Sequence, residues 1–330
     1  MNLTTRYMGL TLGCPLIASA SPLNADIGNI RRLEDAGAGA VVLPSLFEEQ
    51  IEAEADRQDH LVGMGSESSP EASSYFPAAS EYRVGPDQYL DLVERASSAV
   101  AIPVIASLNG TTDEGWISYA RLIEQAGAKA LELNVYFIPA DITTSGRDVE
   151  RRYLDILKAV REIVSIPIAV KLSPYFSSVG NMARQLETAG ADGLVLFNRF
   201  FQPDLDLARL EVLADIKLSS PDEIRLPLLW LAVLAGRVEA SLAATTGVST
   251  ADEVIKYVLV GADVVMTTSS LLRSGIEHMT TLRAGLETWL RARDFASVDD
   301  ARGLMSQRRI ADPQAFERAN YIRILQGYRA

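Results

Sequence analysis

The chain has 330 residues, 48% hydrophobic and 22% charged, which is enough to bury a full core and unlike the composition of a disordered chain. Its 31 Lys and Arg against 43 Asp and Glu leave a net charge of -12, which opposes phosphate backbones and anionic membranes and argues against nucleic acid as a partner. One cysteine, Cys14, excludes an intrachain disulfide, an in-chain iron-sulfur cluster and a cysteine-based zinc site, so any redox chemistry must use an organic cofactor.

The N-terminal segment MNLTTRYMGLTLGCPL lacks the basic and then apolar pattern of a signal peptide. The apolar run from Leu226 to Gly236 is well short of the roughly 18 residues a membrane span needs. A cytoplasmic protein is expected. One pattern then recurs along the chain: AGAGAVVL from Ala36, AGAKALEL from Ala126, AGADGLVL from Ala189 and VGADVVMT from Val260. The Gly suits a left-handed residue that ends a helix, and the apolar run after it suits a strand buried on both faces. Upstream of three copies stand CPLIAS from Cys14, IPVIAS from Ile102 and IPIAVK from Ile166, with proline at a strand's first residue, where it is tolerated. The interval between the two patterns holds a strand, a loop and one helix, the crossover a parallel strand pair needs.

Odd strands are predicted near 15–19, 102–107, 166–171 and 240–245, and even strands near 40–44, 130–134, 193–197 and 263–267. Eight parallel strands alternating with helices close into a (β/α)8 TIM barrel, which leaves no strand edge unpaired. An open doubly wound sheet would announce a nucleotide site with Gly-x-Gly-x-x-Gly after its first strand, and SASPLNADIG carries none. Residues 1–330 therefore read as one barrel domain. A Ser-, Pro- and Glu-rich lid is expected at about 47–88, a second long loop at 199–225, and C-terminal helices at about 297–330 that start at the capping box Ser297 to Asp300 and at Asp312-Pro313.

Barrel chemistry sits on the loops after the strands. After strand seven, ATTGVSTADEV offers Gly247 for close backbone approach and Ser249 or Thr250, with Glu253, to cap a helix whose N-terminus favours an anion. After strand eight, Thr267, Thr268, Ser269 and Ser270 add hydroxyls and amides, and loops seven and eight together form a recurrent phosphate site of this fold. Lys171 is the one charge in the apolar strand IAVKLSP; it either compensates a reduced cofactor, forms a Schiff base, or pairs with a neighbouring carboxylate. Ser19, Asn109, Asn134 and Asn198 end four other strands, and such uncharged donors and acceptors suit the edge of an isoalloxazine or a pyrimidine ring. His278 is expected on helical surface and His60 in the lid, neither with metal-ligand spacing, so no metal is predicted.

In these features the chain resembles the dihydroorotate dehydrogenase family, class 1-like, over nearly its whole length. LTTRYMGLTLGCPLIASAS looks like the family's opening hairpin and first strand, SIPIAVKLSP like its fifth strand and ELNV like its fourth. The resemblance implies a flavin held by Ala18, Ser19, Asn109, Asn134, Lys171, Thr246, Gly247, Thr268 and Ser269, a substrate contact at Asn198, and a dehydrogenase acting on a CH–CH bond in pyrimidine biosynthesis. One legible phosphate site without an adenine-binding Gly-rich turn implies FMN rather than FAD. A homodimer is a family expectation, and the electron acceptor would be a soluble small molecule or a separate protein.

The departures cluster where substrate is held. Where the family continues Asn-x-Ser with a catalytic Cys or Ser and then Pro-Asn, this chain reads Asn134-Val135-Tyr136-Phe137-Ile138-Pro139-Ala140. Its lysine after strand two is Pro44 here, and one Gly of its phosphate-loop Gly-Gly pair is Thr246. A relocated base would have to be Tyr136 or Thr144, or a neighbour such as Thr143 or Ser145. The alternatives are an FMN protein with little or no catalysis, and a Schiff-base lyase using Lys171.

Overall fold

A computed structural model of the chain describes residues 1–53, 85–111, 117–199, 202–213 and 217–327. Eight parallel strands close into a barrel: β1 Leu16–Ala18, β2 Ala40–Phe47, β3 Val104–Asn109, β4 Ala130–Asn134, β5 Ile168–Lys171, β6 Gly193–Leu196, β7 Ser241–Ala244 and β8 Val264–Thr267. Each strand pairs with the next in sequence, and β8 returns to β1 through Val265–Leu16 and Met266–Ile17. The crossovers run through α1 Ile27–Asp35, α2 Pro86–Ala99, α3 Ser118–Gln125, α4 Gly146–Arg161, α5 Val179–Thr188, α6 Arg225–Leu234 and α7 Ala251–Val260, and α8 His278–Ala292 follows β8. The predicted TIM barrel stands, with strand positions close to those read from the repeats. Most of the expected lid lies outside the described residues.

The recurring Gly ends a helix in all four copies, with φ of 91° at Gly37, 101° at Gly127, 105° at Gly190 and 113° at Gly261. Three of the copies also hold a glutamate that the pattern did not single out. Glu34, Glu124 and Glu187 each stand three residues before that Gly and accept backbone N–H groups from the chain about to enter the next odd strand. Glu34 Oε1 takes Ala101 at 2.7 Å and Ile102 at 3.1 Å. Glu124 Oε1 takes Ser165 N–H at 3.0 Å, its hydroxyl at 2.5 Å and Ile166 N–H at 3.1 Å. Glu187 Oε1 takes Glu239 and Ala240. These N–H groups precede a proline in two of the three cases, where no ladder hydrogen bond could hold the chain.

The barrel is filled from below by the hairpin Thr5–Tyr7 and Leu10–Leu12, whose Tyr7, Met8 and Leu12 pack on Ile17, Val42, Ile105, Val195, Val264 and Met266. Room for them comes from small residues facing inward, Ala40, Ala130, Ala169 and Ala243. Gly193 completes this set, since a β-carbon there would lie 2.9 Å from Met8 Cγ. Helices cover the outer faces through Ile30, Leu33, Val93, Ile123, Leu157, Leu186 and Leu231, all fully buried. At the C-terminus the capping box at Ser297 and Asp300 holds a single turn, Val298–Ala301, and Asp312-Pro313 starts a 3-10 turn followed by a helix at Arg318–Gly327. Among the described residues no helix is long and apolar enough to cross a membrane.

The glutamate clamp gives a test. Its hydrogen bonds to Ser165, and then to Ile166, outweigh partial burial and hold the Glu124 carboxyl below its ordinary value of 4.5. A carboxyl lowered in the fold contributes stability that is present above its unfolded value and is lost as pH falls through the folded one. Glu124→Ala is therefore expected to cost about 1–2 kcal/mol at pH 7. In urea unfolding the gap to wild type should close as pH drops below about 4.5; a gap constant with pH would show that the carboxylate is not what holds the loop.

Candidate functional site

A cavity of about 150 Å3 opens at the C-terminal strand ends. Its wall is Lys171 from β5, Phe197 to Arg199 after β6, Thr245 to Val248 after β7, Met266 to Ser269 at the end of β8, Ser19 and Ala20 after β1, and Ser219 ahead of α6. Of the residues singled out in the sequence, Ser19, Lys171, Asn198, Thr246, Gly247, Thr268 and Ser269 line it. A larger, mostly apolar cavity of about 360 Å3 meets it at Ala20 and runs between Pro22, Pro44 to Phe47, Tyr89 and Leu92.

Two consecutive left-handed residues shape the wall after β7, Thr246 at φ 80° and Gly247 at φ 76°. At Gly247 a β-carbon would sit 2.5 Å from Ile224 Cγ2 and 2.8 Å from the Ser220 carbonyl oxygen, so only glycine fits. Thr246 is β-branched, and left-handed backbone at such a residue costs about 1–3 kcal/mol. The chain then enters α7 through the expected box: Glu253 Oε2 accepts the Thr250 N–H at 2.7 Å and the Thr250 hydroxyl at 2.9 Å.

Ser219, which the sequence reading passed over, ties the two loops together. Its hydroxyl donates to Ser269 Oγ at 3.0 Å and accepts the Gly247 N–H at 3.2 Å. The Thr268 hydroxyl donates to the Ser19 carbonyl at 3.1 Å, and that same carbonyl accepts from Asn24 Nδ2 at 2.9 Å. Asn24, fully buried, also donates to the Val42 carbonyl at 2.7 Å and so fixes the β1 loop against β2. A short Ser-rich stretch and a lone Asn in a turn carry little signal in a sequence, because such residues are common in any loop.

Asn109, Asn134 and Lys171 stand side by side in register on β3, β4 and β5. Asn198 Nδ2 donates to Asn134 Oδ1 at 2.5 Å. Lys171 Nζ lies 3.2 Å from Glu132 Oε1, with the lysine side chain 11% exposed and the glutamate 1%. The carboxylate neighbour that the sequence left open is therefore Glu132. Among the described residues, the charged ones lining the cavity are Lys171 and Arg199, both cations, and no carboxylate lines it. Arg199 also pairs with Glu223 at 3.0 Å.

Ala18 lies at the end of β1, fully buried behind Ser19. Tyr136 and Thr144 stand outside the cavity lining. Tyr136 is half-buried beyond β4, and the Thr144 N–H closes a turn onto the Asp141 carbonyl at 3.1 Å. Phe137 packs on the barrel–helix core under Arg152, whose guanidinium carbon is 4.2 Å from the ring centroid, while Ile138 is 54% exposed. His278 starts α8 as a half-buried residue, not a solvated one, with Nε2 at 2.8 Å from the Ser249 carbonyl. His60 falls outside the described residues. Burial pushes the Cys14 thiol up to about 11, so it is no nucleophile. Among the described residues no group of three or more His, Cys, Asp or Glu could hold a metal ion.

Fold and crevice together define a (β/α)8 barrel with a cationic, hydroxyl-rich site at its catalytic end. A family profile described as dihydroorotate dehydrogenase matches residues 83–290, and the chain belongs to the dihydroorotate dehydrogenase family, oxidoreductases that act on a CH–CH bond. It is 26% identical over 310 residues to the protein named dihydroorotate dehydrogenase B (NAD(+)), catalytic subunit, of Methanothermobacter thermautotrophicus, an alignment covering 92% of this chain and 98% of that one. The protein of the same name from Listeria monocytogenes is 30% identical over 169 residues, 49% of this chain and 55% of its own. That from Bacillus cereus is 30% identical over 171 residues, 50% and 55%. The aligned stretch thus spans about half the length of the Listeria and Bacillus relatives.

The two left-handed residues should respond oppositely to substitution. Gly247→Ala is expected to lose about 1–3 kcal/mol through overpacking on Ile224 and Ser220, whereas Thr246→Gly should be neutral or stabilising. Denaturant midpoints of the two variants would show this, and a destabilised Thr246→Gly would mean that its side chain, not its backbone, holds the loop.

Proposed function

We propose that this crevice binds FMN and that the chain is a flavin-dependent oxidoreductase for dihydroorotate or a related cyclic substrate. The observation that carries the reading is the donor set. In a chain of net charge -12, the crevice lining offers two cations, Ser and Thr hydroxyls and left-handed backbone, and no carboxylate among the described residues. That chemistry fits a phosphate and a ring that gains negative charge on reduction. The glycine cradle at Gly247, which a β-carbon would fill, fits close backbone approach. Together with the apolar cavity at Ala20 the space is on the scale of a small-molecule site, roughly 300–1000 Å3.

Thr246, Gly247, Thr268 and Ser269 would hold the phosphate, with Ala18 and Ser19, Asn109 and Asn134 against the ring. Lys171 supplies positive charge where negative charge collects as electrons are accepted, and Asn198 faces the substrate. Bound FMN would supply a hydride acceptor for the substrate's CH–CH bond. The chain's own residues orient the substrate and remove the accompanying proton, and here the chain is poorly equipped. Phe137 is turned under Arg152 and Ile138 is exposed, so neither stands in for the family's base. Tyr136 and Thr144, with Thr143 and Ser145, are the hydroxyls of that loop, and a phenol or alcohol is a poor base at neutral pH unless a neighbour activates it. That deficit favours, as a second reading, a flavin protein with little turnover of dihydroorotate. A Schiff-base lyase is less well supported, because it needs a free amine and the Lys171 ammonium is half of an ion pair. The relatives are named as NAD(+) enzymes and as catalytic subunits, which supports NAD(+) as the electron acceptor and a further subunit as partner.

Lys171→Ala is expected to lose most of its flavin, or to keep a flavin that is hard to reduce; unchanged occupancy and potential would leave the lysine a structural role only. Anaerobic mixing of wild-type protein with dihydroorotate should bleach the flavin at least about 10²-fold more slowly than in relatives that keep a Cys or Ser base. Rapid stoichiometric bleaching would restore the ordinary family reaction, and Tyr136→Phe and Thr144→Val would then identify the base.

A further inference from the structure

Glu132 is the one acidic side chain that β4 turns into the barrel, and it is 1% exposed. It differs from the other acidic residues that organise the barrel. Glu34 and Glu124 each collect two or three donors on one oxygen, and Glu253 binds the N–H and hydroxyl of Thr250. Glu132 is bonded to the Lys171 ammonium at 3.2 Å, while its Oε2 is buried with no hydrogen-bond partner among the described residues. The Tyr7 hydroxyl, fully buried in the hairpin that fills the barrel, is likewise without a partner. Burial first, and then the Glu132 charge, push that hydroxyl up, so the two orphaned groups share one interior. A carboxylate that spends one oxygen on Lys171 and none on the backbone does no work as a clamp. As a pair, two charges taken out of water stabilise a fold weakly, and an apolar replacement is often as stable.

We propose that Glu132 is a positioning residue for Lys171: it fixes the ammonium at the floor of the crevice and sets the net charge presented to a bound flavin, and thereby its reduction potential. The inference rests on the FMN reading above. With both residues present the net charge at the floor is zero; without Glu132 it is positive, and without Lys171 negative. Electron uptake by the ring becomes easier in the first case and harder in the second.

The test uses the full chain loaded with FMN. Absence of FMN binding by wild type would overturn the cofactor reading itself and is seen before any variant is made. Given binding, the midpoint potential is measured by equilibration with reference dyes for wild type, Glu132→Gln, Lys171→Met and the double variant. The expected result is a positive shift for Glu132→Gln, a negative shift for Lys171→Met, and a double variant near wild type. Shifts of the same sign, or no shift in Glu132→Gln, would overturn the proposal and leave the pair a packing feature. Should Glu132→Gln fail to fold, the double variant against Lys171→Met alone decides: a more positive potential in the double variant supports the role, and equal potentials overturn it.

Discussion

A parallel barrel closes only if the chain returns to the bottom of the sheet after every strand, and each return exposes backbone N–H groups that the ladder cannot satisfy. Three glutamates solve this at equivalent places, Glu34, Glu124 and Glu187, each ahead of a left-handed glycine and each gripping the chain that leads into the next odd strand. Asp192 and Asp263 reinforce the scheme by taking the Ile168 and Leu242 N–H groups at 2.8 Å. Burial raises the Asp263 carboxyl, the expected direction for a charge drawn into the base of the barrel. With the bottom fixed in this way, the top is free to carry residues chosen for chemistry.

What the described crevice lining carries is two cations, Lys171 and Arg199, each paired with a carboxylate set behind it. The core beneath it is apolar and tightly filled: Tyr7 and Met8 occupy space that Ala130, Ala169 and Gly193 leave open. A lysine at the end of such a strand needs an anion, and Glu132 provides it from inside, which leaves the described lining of the crevice without a carboxylate. The ammonium is thus compensated from below and presented above. The serine and threonine network through Ser219, Thr268 and Ser269 then sets the loops after β1, β7 and β8 at fixed distances from it.

Most of the fold was legible because it rests on local chemistry repeated four times. Gly37, Gly127, Gly190 and Gly261 mark helix ends whatever surrounds them, and the apolar runs after them have one stable place. The crevice was legible in part, for the same reason: Lys171 is conspicuous as a charge in an apolar strand, and Gly247 with Thr268 and Ser269 follows strand ends. Glu132 is not conspicuous because a single acidic residue in LELN looks like an ordinary outward-facing position until the fold turns its carboxylate inward, 3.2 Å from the Lys171 ammonium. Ser219 and Asn24 act across 50 and 18 residues of sequence respectively, and no local pattern reports such partners. Phe137 sat next to the motif that drew attention, yet its direction, under Arg152, depends on α4.

The central claim is that the crevice between the ends of β5, β6, β7, β8 and β1 is a flavin mononucleotide site. Its most direct test is to purify the chain without added cofactor, release any bound chromophore by heat, and identify it by chromatography. The account predicts yellow protein that releases FMN non-covalently, close to one per chain. Protein that releases FAD, or that carries no flavin and takes up none when FMN is supplied, would contradict it.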